Sequence, residues 1–250
     1  MRPRRDHEEF LRIEVEEDGP KIRGFLHAPP LWPKVPCVVL CHGLLSSMES
    51  PKFSLLASEL RQRGIAALRF DFRGCGESEG SLEESNVSAR LTDLMRMVGV
   101  LREKLGHRGP LGMMGSSMGG FVVLLACKQI PQIVSATCVW ATPFAPMDLI
   151  QLGRGKEAQL LGPSFYEDLR HHSLSDLHGK LSRILVIHGE KDEIVPLEHA
   201  LKIHDLAVPP KKLWVVKGGD HRLSDPDHRK EATRLTVEWF EEHLIGGPSS

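Results

Sequence analysis

The run Cys37-Val38-Val39-Leu40-Cys41 is apolar at every position. Side chains of a strand alternate between two faces, so a strand with no polar face must be buried on both sides. That requirement calls for a sheet covered by helices above and below, the setting of parallel strands in α/β folds. The remaining chain reads the same way. Ile65–Phe70, Leu111–Gly115, Ala136–Ala141, Arg183–His188 and Lys211–Val216 are further strands. Between them lie segments with helical spacing of apolar residues. These are Phe53–Arg63, Ser88–Leu105, Met118–Lys128, Leu197–His204 and His228–Leu244. Upstream, Phe10–Val15 alternates apolar and charged residues and pairs across a Glu17-Asp18-Gly19-Pro20 turn with Lys21–His27, an antiparallel start. The alternation predicts a doubly wound, mostly parallel α/β sheet flanked by helices, in one domain over residues 1–250. Residues 142–181 interrupt it with a long stretch lacking clear strands, read as a short cap-like insertion over the sheet.

Charge and cysteine content narrow the function classes. Lys and Arg number 32 and Asp and Glu 33, so the basic footprint of a nucleic-acid binder is missing. No apolar run approaches the roughly 20 residues of a membrane span. The basic start is followed by no apolar stretch, so no secretory signal is expected. The five cysteines are odd in number and lack CxxC spacing, against a disulfide framework or a zinc site. Cys37 and Cys41, in one strand, stand about 13 Å apart, beyond disulfide reach. Reduced core cysteines point to a cytoplasmic protein. His171-His172 has no ligand partner pattern, and no metal or other cofactor is expected.

The chemistry lies in short motifs at strand ends. Gly115-Ser116-Ser117-Met118-Gly119 fits G-x-S-x-G between a strand and an apolar helix, the context of a nucleophile elbow. Its centre is Ser117; Ser116 cannot be the centre, because Met114 and Met118 would then occupy the glycine positions. A serine hydroxyl needs a base, and the order expected for such a sheet is Ser, then Asp or Glu, then His. His188-Gly189-Glu190-Lys191-Asp192 follows one late strand, and Gly218-Gly219-Asp220-His221 the next. Asp192 and His221 are the candidates, both at the carboxyl ends of strands. Acyl transfer also needs two backbone N–H donors for the developing oxyanion. Met118, after the nucleophile, supplies one, and Leu44, in the loop Cys41-His42-Gly43-Leu44, is the candidate for the other. His42 reads as a structural loop histidine.

Taken in order, His42-Gly43, Asp71-Phe72-Arg73-Gly74-Cys75-Gly76-Glu77-Ser78, Gly115–Gly119, His188–Asp192 and Gly218–His221 resemble the α/β-hydrolase superfamily over about the whole chain. Within it the chain is similar to cinnamoyl and feruloyl carboxylesterases and to serine aminopeptidase-like hydrolases. The resemblance implies an eight-stranded, mostly parallel sheet. It also implies Ser117 as nucleophile, Asp192 and His221 as its partners, and Leu44 and Met118 as oxyanion donors. Asp71–Ser78 looks like the family's structural turn. The insertion looks shorter than the cap that recognises aromatic esters in cinnamoyl esterases. Tyr166, the chain's one tyrosine, lies in it and could hydrogen-bond a phenolic substrate or simply pack.

The expected activity is hydrolysis of small or medium acyl or aryl esters by a serine carboxylesterase, acting through an acyl-enzyme on a small-molecule partner. Aminopeptidase, thioesterase and acyltransferase activities use the same residues. A non-enzymatic binding protein is disfavoured because every chemical position is filled.

Overall fold

In the computed structural model, which describes residues 10–16, 19–151 and 161–246, eight strands form one sheet. They are β1 (Phe10–Val15), β2 (Ile22–His27), β3 (Cys37–Cys41), β4 (Ala66–Phe70), β5 (Leu111–Ser116), β6 (Val134–Trp140), β7 (Ile184–Gly189) and β8 (Lys211–Val216). Their order is β1-β2-β4-β3-β5-β6-β7-β8. β2 runs antiparallel to both β1 and β4, and every other neighbouring pair is parallel. Glu17 and Asp18 of the turn expected between β1 and β2 lie outside the described residues.

β3 shows how the two-faced apolar strand shapes the architecture. Cys37, Val39 and Cys41 pack in one buried cluster, whereas Val38 and Leu40 pack in another. Helices α1 (Pro51–Gln62) and α7 (Pro226–Leu244) close the Val38 face, with Phe53, Leu56 and Phe240 among their buried residues. Helices α2 (Val87–Gly99) and α3 (Met118–Gln129) close the other, joined there by α6 (Leu197–Leu206). α3 is buried from Met118 to Cys127, which explains its apolar composition on every side.

Boundaries depart from the sequence reading where local chemistry intervenes. The helix expected over Ser88–Leu105 ends at Gly99 and continues as a wider π turn over Val100–Lys104. Glycine weakens a helix interior, and the wider turn still buries Val100 and Leu101. α7 begins at Pro226 rather than His228, because the Asp225 side chain accepts the Asp227 N–H and Pro226 suits the first helical position. Within residues 142–181 the described residues hold two short helices, α4 (Pro146–Gln151) and α5 (Pro163–Leu169), and a 3₁₀ turn at Ser175–Leu177. Asp168 on α5 accepts the backbone N–H of Ser88 at 2.9 Å, tying the insertion to the start of α2. The five cysteines are free and buried. Burial pushes the Cys37 and Cys138 thiols up to about 12, far from a reactive thiolate.

Candidate active site

The parallel register brings the motif loops together. Cys41 at the end of β3 pairs with Gly115 of β5, so the loop after β3 meets the turn after β5. Gly189 of β7 pairs with Val216 of β8, so the two late loops are also neighbours. The β5 turn is sharp: Ser117 has φ 54° and ψ −126°, a backbone conformation that side-chain-bearing residues rarely adopt. Its N–H donates to the Trp140 carbonyl at 2.8 Å, which anchors the turn to β6. A Cβ on Gly119 would lie 2.3 Å from the Cys41 oxygen and 2.4 Å from the His42 oxygen, so only glycine lets α3 approach β3 this closely. Gly119→Ala should therefore destabilise the fold by about 1–3 kcal/mol. Thermal unfolding checks this, and an unchanged Tm would refute the close approach.

Ser117, His221 and Asp192 stand in one hydrogen-bonded line. His221 Nε2 is 3.1 Å from Ser117 Oγ, and His221 Nδ1 is 2.8 Å from Asp192 Oδ2. The other carboxylate oxygen, Oδ1, accepts the backbone N–H groups of Ile194 at 2.9 Å and Val195 at 2.7 Å. Asp192 is buried, while the imidazole of His221 is partly open to the pocket. The neighbouring acids make other contacts. Glu193 accepts the His221 N–H, Glu190 accepts the Gly218 N–H, and Asp220 accepts the Ser224 N–H. Ser116 Oγ stands outside this line and accepts a hydrogen bond from Lys52 Nζ at 2.7 Å.

The loop carrying Leu44 is braced from beneath. His42 is buried; its Nδ1 is 2.8 Å from the Gly43 carbonyl, and its Nε2 accepts the Phe72 N–H at 3.1 Å. Those contacts assign the proton to Nδ1, and burial lowers the His42 pKa to about 3. His42 is thus a neutral brace. Asp71 accepts the Met48 N–H at 2.7 Å and the Glu77 N–H at 2.9 Å, so the Asp71–Ser78 turn holds the far end of the same loop. A Cβ on Gly43 would lie 3.2 Å from Ser117 Cβ, which places this backbone against the serine. Leu44 follows Gly43 directly, and Met118 follows Ser117 as the first residue of α3. Both line the same pocket.

That pocket is a cavity of about 390 Å³ containing Ser117 and His221. The insertion contributes an apolar wall through Pro143, Pro146, Leu149, Leu161 and Phe165. Tyr166 is not among the lining residues; it packs on the core, with its ring edge-on to Phe165 at 5.8 Å between centroids. Successive helical residues turn by about 100°, so Phe165 and Tyr166 of α5 cannot face the same way. The aromatic ring that α5 gives to this wall is therefore Phe165, while Tyr166 packs against the core. Lys52, Arg222 and Arg229 also line the cavity, and sequence reasoning had not singled them out.

A sheet of this topology with a serine at the β5 turn and a histidine after β8 defines an α/β hydrolase. The chain belongs to the serine aminopeptidase S33 family of that superfamily, whose profile it matches over residues 33–167. It is 29% identical over 217 residues to the mitochondrial palmitoyl-protein thioesterase ABHD10 of Mus musculus, covering 77% of this chain and 71% of the relative. Among solved structures, Est1E from Butyrivibrio proteoclasticus with ferulic acid bound superimposes with a TM-score of 0.83 at 23% identity, covering 93% of this chain and 99% of the other. The structure of the mouse ABHD10 protein aligns with a TM-score of 0.75 at 25% identity, over 94% of this chain and 99% of that one.

Proposed function

We propose that this hydrolase cleaves carboxylic esters of small or medium acyl or aryl groups through an acyl-enzyme. The observation that carries the reading is the hydrogen-bonded line from Ser117 through His221 to Asp192, open to a pocket with one apolar wall. Ser117 Oγ attacks the ester carbonyl while His221 Nε2 takes its proton. Asp192 holds the Nδ1 proton in place and stabilises the imidazolium. The N–H groups of Leu44 and Met118 receive the negative charge that develops on the carbonyl oxygen, each worth roughly 10²–10³ in rate. His221 then returns the proton to the leaving alcohol, and water, activated by the same imidazole, releases the acid. Labelling with a fluorophosphonate, followed by peptide mapping, tests the assignment: the adduct is expected on Ser117 in folded protein and is expected to be lost on heat unfolding. An adduct on Ser116 would overturn it.

The family name raises amide cleavage at a free amine, and the mouse relative's name raises thioester cleavage. An aminopeptidase needs a carboxylate near the nucleophile to pair with the substrate ammonium. Among the described residues lining the pocket there is no Asp or Glu. Three acids of the insertion are committed elsewhere: Glu167 pairs with Arg170, Asp168 with Ser88, and Asp176 with Lys128 at 2.6 Å. Asp148 is exposed, and Glu157 lies outside the described residues. Esters and thioesters therefore fit better than aminoacyl amides, and both proceed through the same acyl-enzyme. We expect kcat/KM to be highest for soluble short-chain aryl esters, weak for long-chain triglycerides and lowest for aminoacyl anilides. If the anilide is the best of the three, the aminopeptidase reading replaces this one.

For the compartment, we propose the cytoplasm, on the strength of five free buried cysteines. The mouse relative is named as mitochondrial. Cell fractionation decides between the two.

A further inference from the structure

The cavity beside Ser117 has a second wall that ester hydrolysis alone does not require. Lys52, Arg222 and Arg229 all line it, and they come from separate elements: the first turn of α1, the loop after β8 and the first turn of α7. Lys52 and Arg229 are half-buried, and among the described residues neither has a carboxylate within ion-pairing distance. Lys52 Nζ instead donates to Ser116 Oγ at 2.7 Å, which brings the ammonium alongside the residue next to the nucleophile.

This placement opposes local preference. Lys52 is the second residue of α1, where the helix end is positive and acidic residues are favoured; the first turn holds no acid at all. Long cationic side chains ordinarily carry their charge to solvent or to a carboxylate. Here the charge ends inside a pocket, near two guanidinium groups. Burial first, and Arg222 and Arg229 after it, lower the Lys52 ammonium to about 8. A local arrangement that runs against helix electrostatics and leaves Lys52 and Arg229 in one pocket with no carboxylate beside either among the described residues marks a place where a negative charge arrives with a ligand.

We infer that the preferred substrate is an ester or thioester carrying an anionic oxygen group, a carboxylate or phosphate, which Lys52 and Arg229 bind while the apolar wall receives the rest of the molecule. The inference rests on the esterase reading for its chemistry and adds to it a substrate class and a specificity-determining residue. Ser116 acts as a positioning residue that aims the Lys52 ammonium. The probes below separate an anion on the acyl portion from one on the leaving group.

Binding and turnover are measured separately, so the two readings can fail independently. In Ser117→Ala protein, which cannot form the acyl-enzyme, Kd is measured for p-nitrophenyl butyrate, p-nitrophenyl hemisuccinate and a carboxylated nitrophenyl butyrate. Butyryl-coenzyme A serves as the phosphate-bearing probe. At least one anionic probe should bind about tenfold or more tightly than the neutral ester. Adding Lys52→Met should reduce that preference about tenfold, whereas Lys52→Arg, which keeps the charge, should restore most of it. Arg229→Gln gives a second route should the Lys52 variants fold poorly, with the same direction of change. The preference should also decline as pH rises through about 8, because Lys52 loses its charge there. The guanidinium groups of Arg222 and Arg229 sustain part of it, and because a charge on His221, which also lines the pocket, would favour anionic probes too, the decline that belongs to Lys52 is the part absent from Lys52→Met. Equal affinity for neutral and anionic probes, or a preference unchanged in Lys52→Met and Arg229→Gln, overturns the inference. Absence of turnover in the unmutated protein, with the binding preference intact, overturns the esterase reading instead.

Discussion

Ser117→Ala should lower kcat/KM for a short aryl ester by about 10⁴–10⁶-fold and leave the fold intact. The substitution removes only Oγ, the atom that stands 3.1 Å from His221 Nε2. Alanine keeps the same Cβ, so the backbone strain is unchanged, and the anchoring bond from the residue 117 N–H to the Trp140 carbonyl is kept. Residual rate over water would come from the backbone donors and from binding. Ser116→Ala is the matched comparison. Its hydroxyl is buried and bonded to Lys52 rather than to the imidazole, so acylation of Ser117 should continue. Steady-state kinetics on both variants, with unfolding curves as controls, check the pair. A Ser117→Ala enzyme retaining a tenth of the activity would refute the nucleophile.

Asp192→Asn should cost up to about 10⁴-fold in turnover with little change in stability. The reason lies in how the two carboxylate oxygens are used. Oδ1 accepts two backbone N–H groups, from Ile194 and Val195. An asparagine must therefore keep its carbonyl oxygen there and present its NH₂ to His221 Nδ1. The imidazole then accepts at Nδ1 and carries its proton on Nε2, facing Ser117, where it can no longer act as base. Glu193→Gln and Glu190→Gln should be far milder, because those carboxylates hold backbone N–H groups of the loops. Near-normal turnover in Asp192→Asn, with a large loss in one of the glutamate variants, would reassign the third residue.

Much of the fold was legible because its signals are local. β3, buried from Cys37 to Cys41, shows in five consecutive residues that it needs cover on both faces. Gly115 and Gly119 announce a turn packed too closely for a Cβ at either position. Helix ends were less legible, since the π turn after Gly99 preserves burial of Val100 and Leu101 without preserving the helical ladder. The insertion was least legible: which of the adjacent residues Phe165 and Tyr166 lines the pocket depends on how α5 docks against the sheet.

By itself the sequence determined the parallel α/β layering, the elbow centred on Ser117 and the order of Asp192 and His221 after it, because apolar periodicity and glycine spacing act within a few residues. What the tertiary structure supplied is the contact itself: Asp192 turns its carboxylate to the imidazole, whereas Glu190, Glu193 and Asp220 in the same two loops accept backbone N–H groups. The tertiary structure alone placed Lys52 against Ser116, 64 residues away, and in one cavity with Arg222 and Arg229. On a helix whose buried face is Phe53, Leu56, Ala57 and Leu60, a lysine at position 52 reads as solvated. Its charge acquires a role only when the sheet folds the first turn of α1 over the carboxyl end of β5, a contact that no local preference encodes.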